Sequence, residues 1–130
     1  MDMNTTDNNK DERGLEAQKR YDLRVSYRIE IFYPIINNVS IYKNYDRSTP
    51  LMTTVNISES GICFNTRLPI KVGDFISFML QIGDNPSFWC LCEVKWVENK
   101  VAYDYVGCRF YLLSDTYINI IKDYVKNVFL

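Results

Sequence analysis

The chain has 130 residues, 47% hydrophobic and 24% charged, with 15 Lys and Arg against 16 Asp and Glu and no histidine. That length supports one domain with its own core and leaves no room for a catalytic module beside a separate sensor. A formal charge of −1 with mixed signs argues against a nucleic acid or an anionic membrane as partner, and no run of about 18 apolar residues offers a bilayer span. The N-terminus also lacks the apolar core of a secretory signal, so the expectation is a cytoplasmic protein without membrane insertion.

Residues 1–18 are polar, rich in Asn, Asp, Thr and Glu, and show no apolar periodicity. They read as a flexible N-terminal arm. Residues 19–28 carry Lys19, Arg20, Arg24 and Arg28 against Asp22 alone. So local a concentration of positive charge suits a small anion better than a long polyanion.

From Val25 the pattern alternates, with Val25, Tyr27, Ile29, Ile31 and Tyr33 on one face, which predicts a first strand ended or bent by Pro34. Asn37 and Asn38 supply a turn, 39–42 a short strand, and 44–50 a surface loop. Strands are predicted over 52–56 and 62–66, on either side of the turn Asn56-Ile57-Ser58-Glu59-Ser60-Gly61. In that turn, short polar side chains bond nearby backbone, and Gly61 can take positive φ and admit a close neighbour. Residues 75–82 alternate with Ile76, Phe78, Leu80 and Ile82 inward, and 83–86 turn the chain. Strands over 87–97 and 101–112 pair across 98–100. Short strands at regular spacing predict a small antiparallel β-barrel of six to seven strands.

Within 87–97, Glu93 and Lys95 mark the polar face, which places Cys90, Cys92, Val94 and Trp96 on the buried one. The spacing is Cys-x-Cys and no histidine is available, so the cysteines read as core thiols and no metal site is expected. From Asp115 the period becomes helical. Tyr117, Ile120, Ile121, Tyr124, Val125 and Val128 form a stripe, and Ser114 or Asp115 can cap an amphipathic helix over 115–129. Its expected role is to cover the open end of the barrel, with Ile118 and Phe129 at the stripe's edge available to a dimer or target protein.

Two stretches carry the chemistry. In Arg20-Tyr21-Asp22-Leu23-Arg24, two guanidinium forks four residues apart can grip phosphate or the O6/N7 edge of guanine. Together with the Asn56–Gly61 turn, they resemble the PilZ domain family, marked by Arg-x-x-x-Arg ahead of the first strand and Asp/Asn-x-Ser-x-x-Gly downstream. Leu68-Pro69-Ile70-Lys71-Val72-Gly73-Asp74 and Val106-Gly107-Cys108-Arg109-Phe110 are similar to later parts of the same family, so the resemblance covers 19–130. Arg24 and Arg28 form a second, overlapping Arg-x-x-x-Arg. The Arg20/Arg24 register is preferred because both residues precede the strand, whereas Arg28 lies within it beside Glu30, where a solvated surface charge is the simpler role.

The resemblance implies a receptor for cyclic di-GMP that signals to a downstream protein target, with no further cofactor. By that similarity Arg20 and Arg24 clasp phosphates and guanine edges, and Lys19 adds charge. Asn56 and Ser58 contact the ligand, Gly61 leaves it room, and Arg28 stands in the second tier. An Asp would accept from both guanine N–H groups, whereas Asn56 sets one acceptor beside one donor. The mechanism implied is a mobile arm ordered by the ligand. The alternatives are a PilZ-like protein-interaction domain that does not bind the nucleotide, and a small barrel binding single strands through exposed tyrosines. Catalysis is not expected, because no glycine-rich phosphate loop or carboxylate pair stands in a recognisable motif.

Overall fold

The computed structural model describes residues 22–41, 45 and 48–129. Nine strands and one helix are found among them: β1 Val25–Ser26, β2 Glu30–Ile31, β3 Ile35–Ile36, β4 Val39–Ser40, β5 Met52–Ile57, β6 Gly61–Thr66, β7 Phe75–Leu80, β8 Phe88–Asn99, β9 Asp104–Phe110 and α1 Asp115–Phe129. All pairings are antiparallel. The sheet runs β1-β5-β6-β9-β8-β7-β3-β4, with β2 also on β5. Mainly β class, antiparallel pairing and a C-terminal helix are as expected. The ladder is an open path rather than the closed barrel predicted, because β1 and β4, two residues each, lie at its ends and do not pair with one another.

The sheet curls round its core. Phe64 on β6 and Phe78 on β7 are separated by two intervening strands, yet their rings meet edge to face with centroids 5.4 Å apart. Around them Met52, Ile57, Ile62, Ile76, Leu80, Val94 and Val106 are completely buried. The predicted inward set of Ile76, Phe78, Leu80 and Ile82 is found there.

The first predicted strand is instead two short ones. β1 pairs Ser26 with Asn56 and β2 pairs Glu30 with Thr53, so one extra residue must be accommodated between them. Thr54 does this with its side chain: its hydroxyl donates to the Tyr27 carbonyl at 2.6 Å and accepts the Ile29 N–H at 2.7 Å. Val25, Tyr27, Ile29 and Ile31 still face the core, but Tyr33 is exposed. At the far end Asn37 and Asn38 both take positive φ, at 49° and 70°, in the tight turn between β3 and β4. Asn37 then bonds Asp74 and the Phe75 N–H, tying that hairpin to the approach to β7.

Helix α1 starts where predicted, with the Ser114 hydroxyl facing the Tyr117 N–H. Ile121 and Val125 are buried, Tyr124 meets Tyr27 edge to face, and Tyr117 stacks on Phe88 with centroids 4.1 Å apart. Tyr117, Val128 and Phe129 remain partly exposed at the margins of the stripe.

All four cysteines are buried as free thiols. Burial raises the pKa of Cys63 and Cys108, and Cys92 is raised by its hydrogen bond with Cys90 and by burial. Burial also raises Tyr27, whose hydroxyl donates to the Gln81 carbonyl.

Two outcomes follow from this packing. Phe64→Ala should lower stability by about 3–5 kcal/mol in urea unfolding, since it empties the centre of the core. A raised thiol pKa means that the folded state holds its proton more tightly than the unfolded one. The stabilisation is therefore full below the ordinary thiol range and is lost as pH rises through the folded value. Urea midpoints should fall as pH climbs above about 9, and Cys108→Ala should flatten that decline.

Candidate functional site

The outer face of the sheet carries a row of residues from four adjacent strands. Asn56 on β5 pairs with Cys63 on β6, Cys63 with Gly107 on β9, and Gly107 with Trp96 on β8. Two bulges set this row. Val55 is the extra residue in β5 opposite β6, and Lys95 is the extra residue in β8 opposite β9. The second bulge overturns the expected placement of Trp96. Cys90, Cys92 and Val94 point inward as predicted, but alternation is broken at Lys95 and Trp96 emerges on the outer face, 43% exposed.

Trp96 rests directly on Gly107. A Cβ at Gly107 would lie only 2.0 Å from the indole. The indole thus occupies the space above the glycine, and Trp96 lines the cleft beside it.

The motif turn overhangs the opposite side. Ser58 is fully buried, and its hydroxyl oxygen accepts the N–H groups of Ser60 and Gly61 at 3.3 and 3.2 Å. Ser58, expected to contact a ligand, is thus placed inside the turn. Its oxygen is used inside the turn, and Ser60 faces the cleft instead. Gly61 also has a different reason for being glycine. Positive φ is found at Gly73 and Gly83 but not at Gly61, where an added Cβ would come within 2.1 Å of the Cys108 carbonyl oxygen on β9. The close neighbour is the adjacent strand.

Between these walls lies a cleft of about 400 Å³ lined by Asp22, Arg24, Ser60, Gly61, Lys95, Trp96, Gly107, Cys108 and Arg109. Among the described residues its lining holds three cations and one carboxylate. Arg24 Nη1 stands 3.5 Å from Asn56 Oδ1, and Arg24 Nη2 stands 3.7 Å from the Asp22 carboxylate. The guanidinium is near enough to Cys63 for its charge to oppose the upward shift of that buried thiol. Asp22 in turn accepts a 2.7 Å hydrogen bond from the Ser60 hydroxyl. Lys95 pairs with Glu93 at 3.2 Å.

Of the residues expected from sequence, the structure brings Arg24, Asn56 and Gly61 together. Lys19 and Arg20 lie outside the described residues. Arg28 is elsewhere: its side chain is 70% exposed and paired with Glu30 at 3.4 Å, the surface role expected of it. Lys95, Trp96, Gly107 and Arg109 line the cleft without having been singled out as site residues. The sequence does signal that β9 matters, in Val106-Gly107-Cys108-Arg109-Phe110, but nothing local marks the bulge that turns Trp96 outward.

A larger hollow of about 630 Å³, lined by residues including Tyr45, Leu51, Thr53, Asn65, Arg67 and Tyr103, opens elsewhere on the molecule. Among the described residues its lining has a single cation and no carboxylate. Among the described residues the concentration of charge belongs to the smaller cleft. No group of three or more His, Cys, Asp and Glu side chains placed to hold a metal ion is found among the described residues, and no described helix is long and apolar enough to cross a membrane.

Comparison with known proteins identifies the family and the fold. A family model described as the PilZ domain matches residues 18–127. Among solved structures, the Bacillus subtilis inhibitor of motility, MotI/DgrA, superposes with a TM-score of 0.62 at 11% identity over 82% of this chain. The chain spans about half of that protein, 49% of its length, and at this identity the likeness is one of fold. No curated protein matches the sequence.

The two glycines should respond differently to a methyl group. Gly61→Ala forces β6 away from the β9 backbone and should cost at least ~2 kcal/mol in chemical denaturation. Gly107→Ala meets only a half-exposed indole that can swing aside, so it should cost under ~1 kcal/mol. It should also shift Trp96 fluorescence to longer wavelength in a Trp89→Phe background.

Proposed function

The chain belongs to the PilZ domain family, and from that premise we propose that it is a receptor for cyclic di-GMP, a ring of two phosphates bearing two guanines, and that it signals by binding rather than by catalysis. The observation that carries this reading is the placement of Arg24, which stands beside Asn56, in a cleft whose described lining has three cations, a serine hydroxyl and an exposed indole. Each part has a use for such a ligand. Arg24 and Arg109 present guanidinium groups to phosphate oxygens or to the O6/N7 edge of guanine. Asn56 offers Oδ1 to a guanine N–H. Trp96 supplies an aromatic surface on which a base can stack, a contact worth about 1–3 kcal/mol in proteins that bind unpaired bases.

Lys19 and Arg20 complete the site from the arm, by similarity to the family motif. Ligand would draw that segment over the outer face at a cost in chain entropy, and the rearranged surface would be what a downstream protein reads. Such a receptor acts in the cytoplasm. The exposed margins of α1, with Val128 and Phe129, are the surface on which a target or a second copy would dock. Motility inhibition is in the name of MotI/DgrA; for this chain the process controlled is left to its partner.

Calorimetric titration of cyclic di-GMP into the full chain tests the proposal. Wild type should bind in the micromolar range, about 8 kcal/mol. Arg24→Ala should weaken binding by about ten- to a hundredfold, the loss of one charge-assisted contact, while Arg28→Ala should leave it unchanged. No heat at millimolar ligand and no rise in melting temperature would leave the interaction-domain reading in its place.

A further inference from the structure

The cleft already contains an anion of its own. Asp22 lies between the two expected arginines of the arm motif, and its carboxylate reaches back into the site. Oδ1 takes the Ser60 hydroxyl at 2.7 Å, and Oδ2 faces Arg24 Nη2 at 3.7 Å. Ser60 and Arg24 are thus both engaged by the same side chain, and both line the cleft. The Ser60 hydroxyl is further placed 3.3 Å from Ser58 Oγ, the buried atom that holds the turn.

We infer that Asp22 is an affinity-setting internal anion: it occupies the cleft in place of a ligand phosphate, holds Arg24 and Ser60 in the empty state, and must give them up when the nucleotide binds. The inference rests on the cyclic di-GMP reading of the same cleft. Its physical basis is competition. A carboxylate and a phosphodiester are both acceptor-only anions that seek the guanidinium fork and the serine O–H. With both present, either they share the donors at close range and repel, or one leaves. Asp22 is tethered two residues from Arg24, so it returns whenever the ligand goes. The result is a receptor whose affinity is lower than its cations alone would give.

Charge and hydrogen bonding can be separated. Asp22→Asn keeps an acceptor for Ser60 and removes the charge, whereas Asp22→Ala removes both. Glu59→Gln changes net charge equally but alters a side chain outside the cleft, in the groove formed with Leu23, Lys122 and Lys126. Titration of cyclic di-GMP into each full-length variant, with melting curves to confirm folding, should show Asp22→Asn binding about three- to tenfold more tightly than wild type. Glu59→Gln should bind as wild type does. If wild type binds and Asp22→Asn binds equally or more weakly, Asp22 positions the arginine instead and the inference is overturned while the receptor reading stands. If neither wild type nor Asp22→Asn binds, the receptor reading fails and takes the inference with it.

Discussion

Gly61 comes so near the Cys108 carbonyl that only a hydrogen atom fits between the strands, and the geometry of the cleft depends on this approach. Because β6 can close on β9 there, the Phe110 N–H reaches the Ser60 carbonyl at 3.0 Å and the motif turn is drawn over the sheet's outer face. The buried Ser58 oxygen then takes up two of the turn's N–H groups, which would otherwise be left without partners away from water. Serine and glycine in this motif hold the wall of the site in place. Their neighbours are placed differently: Asn56 before the turn stands beside Arg24, and Ser60 within it lines the cleft.

The floor is made by irregularity. An unbroken pleat would send Asn56 and Trp96 to the faces that alternation dictates, and Trp96 would join the core. One extra residue in β5 and another in β8 rotate the strands so that Asn56, Cys63, Gly107 and Trp96 align on one outer row. Bulges are common where a sheet must re-aim a side chain, and two in one row are consistent with a binding surface. Gly107 completes the arrangement by leaving room for the indole against the backbone.

The charges of the cleft come from three separate parts of the sheet. Arg24 precedes β1, Lys95 is the bulge residue of β8, and Arg109 lies near the end of β9, three positions far apart in the chain that share one hollow. Asp22 balances part of this charge. A chain with formal charge −1 can therefore present a locally positive site without a basic surface overall.

Much of this was legible in the sequence. Alternating apolar residues in 75–82 and the helical period from Asp115 determine their own elements, because burial of one face requires those spacings. Asn37-Asn38 specifies its turn through tolerance of positive φ. The arginine pair and the Asn-x-Ser-x-x-Gly turn named the family, and Arg24 and Asn56 do lie together. Other features depend on which strands become neighbours. The break between β1 and β2 depends on Thr54, and the outward turn of Trp96 on a bulge measured against β9. Gly61 is required because of the backbone of Cys108, 47 residues away. A strand's own pattern records only which of its faces is buried. Register, bulges and close backbone approach are properties of pairs of strands, so only the assembled sheet decides them.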